Sequence, residues 1–177
     1  MNQKKGYIHI YCGDGKGKTT AALGLALRAA GRNKKVLIAR FLKTDDSGEV
    51  TALEQVTGVK VLPCVKAFGF YFQMTGQQKK EAKEYYEKQF KKAWLQTIEG
   101  SYDMLILDEI MAACSYDLVS EQTLIQYLQK KPEGLEVVMT GRNPSESLLH
   151  MADYVSEIQK RKHPFDDGIG AREGIEY

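Results

Sequence analysis

The chain lacks the marks of several protein classes, and each absence narrows what it can be. Its three cysteines, Cys12, Cys64 and Cys114, lie far apart and form no C-x-x-C pair, which argues against a dithiol centre or a zinc site of paired cysteines. No apolar run approaches the roughly 18 residues that span a bilayer. An odd cysteine count without an apolar secretion segment favours reduced thiols, so we expect a soluble, cytoplasmic protein that does not contact membranes.

An excess of charge of one sign is also missing. Lys and Arg number 25 and Asp and Glu 23 among 177 residues, which leaves a net charge of +2, so the whole-protein charge gives no argument for nucleic-acid binding. The lysines of the helix predicted over 77–99 alternate with glutamates, which is typical of a solvated face. Because no repeat, linker or low-complexity segment interrupts the chain, 1–177 is expected to form a single domain.

The sequence does contain a glycine-rich loop in the setting of a P-loop. An apolar run over 7–12 predicts a strand, and good helix formers occupy 19–30 behind it. Strand, glycine loop, Gly-Lys-Thr and helix follow in the order that this motif requires. Glycines let backbone N–H groups approach an anion, and the helix adds its positive end. The phosphate-binding residues of this loop are expected to be Gly13, Asp14, Gly15, Lys16, Gly17, Lys18, Thr19 and Thr20.

The loop departs from the usual G-x-x-x-x-G-K-[ST] pattern. Cys12 stands at the first position and the glycine, Gly13, comes one place later, so an ordinary glycine-rich turn is the alternative interpretation. In a P-loop, Lys18 reaches phosphate oxygens and the Thr19 hydroxyl is a ligand of Mg²⁺.

Two carboxylates at the end of a predicted strand supply the other half of such a site. The apolar strand over 104–109 ends in Asp108 and Glu109, and a carboxylate at this place holds Mg²⁺ directly or through water. Which of the two binds directly stays open. Alternating strands and helices predict an α/β fold with a parallel sheet covered on both faces. The other predicted strands span 36–41, 59–62, 136–140 and 154–157.

Polar side chains on loops after strands are the remaining site candidates, because ligands of open α/β sheets bind at the carboxyl ends of strands. Lys43 and Glu49 belong either to the site or to a solvated charged loop over 43–49. Arg142 is either a phosphate contact or a structural arginine. His9, inside the first strand, is expected to be a sheet or core histidine.

Four aromatic side chains crowd the segment over 67–74, which does not resemble a simple strand. Large apolar side chains on a loop need a cover. The segment therefore folds onto the core or forms an aromatic wall for a large, flat ligand.

In this order, the motifs resemble those of the ATP:corrinoid adenosyltransferases of the CobA/CobO/BtuR type over nearly the whole chain. The displaced P-loop glycine is the family's own variant of the loop. The other motifs that carry the resemblance are Phe41-x-Lys43, Gly48-Glu49, Gly69-Phe70-x-Phe72, Leu107-Asp108-Glu109, Thr140-Gly141-Arg142, Ala152-Asp153-x-Val155-Ser156-Glu157 and Lys162-His163-x-Phe165-Asp166-x-Gly168.

The resemblance implies a RecA-like P-loop domain that transfers the 5′-deoxyadenosyl group of ATP to cobalt(I) of a reduced corrinoid and releases triphosphate. It also implies that the P-loop holds the γ-phosphate end of ATP, which leaves the ribose C5′ facing the corrinoid. Cobalt(I) is already a strong nucleophile and needs no general base. This agrees with a sequence in which we find no Ser-His-Asp or Cys-His constellation.

The family's roles transfer to matching positions. By resemblance, Lys18, Thr19 and Glu109 are catalytic, and Thr19, Asp108 and Glu109 bind Mg²⁺. Arg142 and His163 match segments that close over ATP, with residues 160–177 as a tail over the nucleotide site. Phe70 and Phe72 match the loop that lines the corrinoid pocket. Phe72 departs from the family, which often has Trp at this position.

The implied partners are ATP, a reduced corrinoid (cobalamin, cobinamide or cobyrinic acid diamide), an electron-donor protein such as a flavodoxin or flavin reductase, and a second copy in a homodimer. Nucleic acid is not among them. Two alternatives stay open: another P-loop NTPase or small-molecule kinase, and a RecA-like nucleic-acid-binding ATPase.

Overall fold

A six-stranded sheet forms the centre of the computed structural model, which describes residues 5–43, 47–66 and 68–176. The strands run in the spatial order β3-β2-β4-β5-β1-β6, and every pairing is parallel. This confirms the predicted α/β class with a parallel sheet. The strands are β1 (Ile8–Cys12), β2 (Val36–Arg40), β3 (Val59–Val61), β4 (Met104–Asp108), β5 (Glu136–Thr140) and β6 (Tyr154–Glu157).

Helices cover both faces of the sheet, as the continuous apolar strands require. On one face, alanines of α1 and Leu53 of α2 pack against the sheet. On the other, α3 contributes Tyr86, Phe90 and Trp94 to a larger core. The helices are α1 (Lys18–Ala30), α2 (Gly48–Glu54), α3 (Gly76–Glu99), α4 (Ile110–Ser115), α5 (Glu121–Gln129) and α6 (Glu146–Met151).

Side-chain caps fix where three of the helices begin. Thr75 and Gln78 form a reciprocal capping box at the start of α3, and the hydroxyls of Ser120 and Ser145 accept N–H donors of α5 and α6. Each cap satisfies a backbone donor that would otherwise lack a partner at the helix end. The sequence predicts helices over 77–99, from Ser120 onward and over 145–151, so each predicted start lies within one residue of the observed one.

The sequence interpretation missed two short helices. Residues 48–54 form α2, whose first two residues belong to the loop predicted over 43–49, and α4 follows directly after the carboxylates of β4. With seven and six residues, neither is long enough to show a helical period. The spacing of apolar residues over 77–99 predicts a buried stripe formed by Tyr86, Phe90, Ala93, Trp94 and Ile98. Its last position is wrong, since Ile98 is exposed and the buried face continues through Thr97.

The sheet register brings the carboxyl ends of three strands to the same edge. Tyr11 of β1 lies opposite Thr140 of β5, and Leu107 of β4 lies opposite Met139. The P-loop, the carboxylates after β4 and the loop after β5 are therefore neighbours. Predicted features at residues 1–4, 44–46, 67 and 177 lie outside the described residues.

Candidate active site

The P-loop bends between β1 and α1 through two glycines. Gly13 and Gly17 have φ angles of 108° and 119°, a region that side chains disfavour. A Cβ on Gly13 would also lie 2.4 Å from the carbonyl oxygen of Ile158, which accepts the Gly15 N–H at 2.7 Å. Cys12 is still part of β1 and buried. The turn begins only at residue 13, and so does the close approach to the chain after β6. For this reason the first glycine of the loop stands one place later than in the usual P-loop pattern.

Two lysines of the loop lie on either side of its backbone. Lys18, the first residue of α1, is buried and its ammonium donates to the Gly15 carbonyl at 2.9 Å. Burial lowers the pKa of Lys18, partly offset by the charge of Glu109. Lys16 reaches the other way and donates to the Ile175 carbonyl at 2.9 Å. Lys18 therefore holds a positive charge inside the loop, where an anion would find it weakly hydrated.

A buried carboxylate connects three strands beneath the loop. Asp108 is 1% exposed and its Oδ1 accepts from the hydroxyls of Thr19 and Thr140, at 2.9 and 2.7 Å. Its Oδ2 accepts from the Lys43 ammonium at 2.8 Å. Lys43 also donates to the Thr19 hydroxyl at 2.9 Å. Three donors, one of them charged, compensate the burial of this anion.

Glu109 lies beside this cluster in a left-handed conformation. Its φ and ψ are 60° and 24°, which is uncommon for a residue with a side chain and is held here by a hydrogen bond from its N–H to the Thr140 hydroxyl at 2.9 Å. Burial raises the pKa of Glu109, and the neighbouring charge of Asp108 raises it further. A cation that approached the two carboxylates would relieve both effects.

The oxygen donors here fit a hard divalent cation. Thr19 and Asp108 place a hydroxyl and a carboxylate oxygen 2.9 Å apart with Glu109 adjacent, and Mg²⁺ prefers such ligands completed by phosphates and water. Among residues 5–43, 47–66 and 68–176, no group of three His, Cys, Asp or Glu side chains could hold a metal.

A cavity of about 630 Å³ opens over the loop and runs along α1. The three lysines already described line it together with Glu109 and Glu49, and residues 174–176 of the tail form its far wall. Its size falls within the range of small-molecule sites. It is the part of the site that could take a triphosphate.

An aromatic cavity of about 540 Å³ shares Glu109 as a lining residue with this phosphate cavity. Phe70 and Phe72 line it while 75% and 80% exposed. The Tyr71 ring between them stacks on Tyr116, with centroids 4.5 Å apart and planes at 9°, and fixes the segment to the helix side of the cavity. The first interpretation holds for Tyr71, which packs against the core. The two phenylalanines line the cavity instead, and their contact with a large, flat ligand stays a prediction.

A third cavity, of about 460 Å³, lies between the P-loop and the tail. Arg142 and His163 line it, and Arg142 also lines the aromatic cavity. Asp14 accepts the Lys160 N–H at 2.8 Å, which lowers the pKa of that carboxyl. His163 accepts the Phe165 N–H through Nδ1 and thereby begins a short 3-10 helix over Pro164–Asp167, within a tail that was interpreted as loop.

The structure thus brings the predicted residues together around three adjoining cavities. Lys18, Thr19 and Glu109 line the phosphate cavity, and Asp108 is buried behind it, where it accepts a hydrogen bond from Thr19. Glu109 also lines the aromatic cavity, together with the two phenylalanines. Sequence reasoning named no role for Thr140 or Tyr116. Thr140 carried a signal, since it ends a predicted strand beside Arg142, whereas Tyr116 follows a helix that was not predicted.

His9 lies in the sheet, as predicted. Its ring stacks on Tyr154 with centroids 4.6 Å apart, and its Nε2 lies 2.6 Å from a Glu136 carboxylate oxygen. These contacts explain His9 as a structural residue. Across the described ranges, even the longest helix, α3, falls short of the apolarity that crossing a bilayer would require.

Two solved structures resemble this fold. EssC (ATPases 2 and 3) from Geobacillus thermodenitrificans aligns with a TM-score of 0.51 at 15% identity, over 97% of this chain and 36% of the longer EssC chain. A KaiC-like protein from Pyrococcus horikoshii OT3 aligns with a TM-score of 0.52 at 14% identity, over 89% of this chain and 75% of its own. This chain spans about a third of EssC, so these similarities concern the P-loop, RecA-like fold alone.

Proteins related in sequence identify the family, which the structural similarities do not. A corrinoid adenosyltransferase of Escherichia coli (strain K12) is 38% identical over 175 residues, which cover 98% of this chain and 87% of the relative. The corrinoid adenosyltransferase CobA of Salmonella typhimurium is 36% identical over 176 residues, covering 99% and 87%. The family model for ATP:corrinoid adenosyltransferase BtuR/CobO/CobP matches residues 4–177. The chain therefore belongs to the ATP:corrinoid adenosyltransferase family, a family of transferases.

Proposed function

We propose that this protein transfers the 5′-deoxyadenosyl group of ATP to cobalt(I) of a reduced corrinoid and releases triphosphate. The observation that carries the proposal is the junction at Glu109, where a lysine-lined cavity over the P-loop meets an aromatic cavity. One side suits a polyanion and the other a large, flat, apolar ring system. A nucleotide bound across this junction would present its ribose to the second substrate.

Charge stabilisation is the main task of the phosphate side. In the proposed reaction the bond from C5′ to the triphosphate oxygen breaks, and negative charge grows on the leaving group. Lys16 and Lys18 line the cavity that would hold it, and preorganised donors of this kind are usually the largest catalytic term, about 3–4 kcal/mol for one donor. No side chain has to remove a proton, because the nucleophile has none.

Thr19, Asp108 and Glu109 would hold Mg²⁺ together with the nucleotide. The bound ion would neutralise charge on the phosphates. The protein's part is to orient oxygens toward it: the Thr140 hydroxyl binds one Asp108 oxygen and fixes the Glu109 backbone.

Phe70 and Phe72 would form the apolar wall of the corrinoid site. Such a wall would exclude water and the lower axial ligand from one face of the corrin, and cobalt(II) without that ligand is easier to reduce. The exposure of both rings and the stacking of Tyr71 on Tyr116 support this role. A phenylalanine at position 72, in place of the family's frequent Trp, keeps an aromatic wall with a smaller surface.

We further propose that the tail over 160–177 closes over the bound nucleotide. Lys16 donates to the Ile175 carbonyl, and Asp14 accepts the Lys160 N–H, so both ends of the described tail touch the P-loop. Arg142 and His163 would bind the nucleotide from the cavity between loop and tail. Tyr177 lies outside the described residues.

The proposed setting is a reducing cytoplasm in which a homodimer receives electrons from a donor protein such as a flavodoxin or flavin reductase. An odd number of cysteines is consistent with that compartment. The corrinoid would be cobalamin, cobinamide or cobyrinic acid diamide. A net charge of +2 and a glutamate-interspersed α3 give no support to nucleic acid as a partner.

An anaerobic assay tests the function. Protein, ATP, Mg²⁺ and chemically reduced cobalamin are mixed, the visible spectrum is followed, and the phosphate products are separated. We expect a photolabile cobalt–carbon species in equal amount to triphosphate. The Lys18→Ala variant, folded as judged by circular dichroism, should lose most of this activity.

Other products would contradict the proposal. Release of ADP and phosphate without a cobalt–carbon bond would indicate a different P-loop NTPase, and a phosphorylated acceptor would indicate a kinase. Salt-sensitive binding of single-stranded DNA, titrated at two salt concentrations, would indicate the nucleic-acid-binding ATPase instead.

A further inference from the structure

The ammonium group of Lys43 lies directly on the oxygens that would meet a metal ion. It donates to the Thr19 hydroxyl at 2.9 Å and to Asp108 Oδ2 at 2.8 Å. The Lys43 side chain is 28% exposed toward the phosphate cavity, whereas Asp108 is 1% exposed. A cation of the protein itself therefore bridges the hydroxyl and the buried carboxylate.

This contact has an electrostatic reason. A buried carboxylate is costly unless a counter-charge and hydrogen bonds compensate it, and loss of one partner leaves an uncompensated charge. The hydroxyls of Thr19 and Thr140 satisfy Oδ1 of Asp108 but bring no net charge. Lys43 supplies the charge on the other oxygen, so the cluster is neutral while no metal is bound.

The same contact competes with a divalent cation. The Thr19 hydroxyl gives its proton to Asp108 Oδ1 and accepts a hydrogen bond from Lys43. A metal ion that binds this oxygen must therefore approach its lone pairs, on the side where the Lys43 ammonium lies. At a Mg²⁺–oxygen distance of about 2.1 Å the ion would lie within about 4 Å of the ammonium. A unit charge and a double charge at that separation repel strongly where one of them is partly buried.

We propose that Lys43 is a positioning residue that stands in for the metal ion in the nucleotide-free enzyme and yields when the metal arrives on the triphosphate. The proposal rests on the metal role proposed for Thr19 and the carboxylates. The phosphate cavity, which Lys43 also lines with Lys16 and Lys18, gives the displaced ammonium an anion to face. Free metal alone offers no such exchange, so the enzyme binds the metal weakly without nucleotide.

Titration with Mn²⁺, followed by electron paramagnetic resonance in the absence of nucleotide, tests this role. Lys43→Met should bind Mn²⁺ at least tenfold more tightly than the wild type, and Mn²⁺ should raise the Tm of this variant more. Lys16→Met is the matched control: it also removes an ammonium from the cavity, but Lys16 contacts Ile175 and Glu176. The Mn²⁺ affinity of Lys16→Met should change less than threefold. Lys43→Arg keeps the positive charge and should bind Mn²⁺ as weakly as the wild type.

Equal Mn²⁺ affinities for the wild type and a folded Lys43→Met would overturn the proposal, as would an equal gain in Lys16→Met. If Lys43→Met does not fold, Lys43→Gln is titrated in its place, because an amide keeps a hydrogen-bond donor without the charge. A parallel Mn²⁺ titration in the presence of ATP distinguishes a failure of the role proposed for Lys43 from a failure of the proposed metal site. Wild type that binds Mn²⁺ with ATP while Lys43→Met shows no gain refutes only the role of Lys43, whereas wild type that never binds Mn²⁺ also refutes the proposed metal site.

Discussion

Removal of the Thr140 hydroxyl should markedly lower the free energy of unfolding, because this hydroxyl satisfies two buried groups at once. It donates to Asp108 at 2.7 Å and accepts the Glu109 N–H at 2.9 Å, and its residue is fully buried. Thr140→Val keeps the shape and removes both hydrogen bonds. An unsatisfied buried donor costs about 1–3 kcal/mol and a lost hydrogen bond to a charged group about 1.5–3 kcal/mol. These costs are not independent, so we expect a loss of about 3 kcal/mol.

Urea unfolding measures this loss as a change in the free energy of unfolding, provided that the slope with denaturant is unchanged. For a chain of 177 residues, about 3 kcal/mol corresponds to a Tm lower by roughly 6–12 °C. Thr140→Ser is the matched control, because it keeps the hydroxyl and loses one buried methyl, at a cost of about 1 kcal/mol. If Thr140 contributed to stability only through packing, Thr140→Val would lower the free energy of unfolding less than Thr140→Ser. Val as stable as Ser would therefore refute the reasoning.

Three other variants test separate parts of the site. Phe72→Ala should slow adenosylation from cobalt(II) more than from chemically prepared cobalt(I), and equal losses in the two assays would argue against the apolar wall. Gly141→Ala should lower the free energy of unfolding by about 3 kcal/mol, because φ is 149° and a Cβ would lie 2.6 Å from Met111 Cβ; an unchanged urea midpoint would contradict this. Glu176→Gln should speed tryptic cleavage after Arg172 several-fold at pH 7, since Glu176 binds that guanidinium; unchanged cleavage would show that the contact does not hold the tail. Because Arg172 lowers the pKa of Glu176 from 4.5 to about 2, this contact should be complete above pH 4.5 and be lost as the pH falls toward 2.

Local patterns explain what the sequence predicted well. The apolar run of β4 ends in Asp108 and Glu109, and the P-loop is flanked by a strand and a helix within a few residues. Side chains in parallel strands with both faces buried are apolar throughout, so the strands were recognisable by composition. Thr75, Ser120 and Ser145 are cap residues whose chemistry is local as well.

Contacts between distant segments account for most of what was missed. The bond from Lys43 to Asp108 needs β2 beside β4, and the bond from Thr140 to Asp108 needs β5 on the other side. Strand order depends on how the whole chain packs and has no signature in any one segment. The contact of Lys16 with Ile175 spans 159 residues. The pair Tyr71 and Tyr116 likewise joins a loop to a helix too short to predict.

The charges of the site indicate which bond the enzyme is built to break. Lys16, Lys18 and Lys43 line the phosphate cavity, and Glu109 lines both this cavity and the aromatic one. A hydrolase would need a polar place for a water nucleophile beside the terminal phosphate. The neighbouring cavity is bounded by the exposed rings of Phe70 and Phe72 and also by Ser115, Arg142 and Asn143. Its volume of about 540 Å³ suits a nucleophile much larger than water. On the proposed function, the three lysines would stabilise the whole triphosphate as one leaving group. The reacting carbon, the ribose C5′ of a bound ATP, would then lie where the two cavities meet at Glu109.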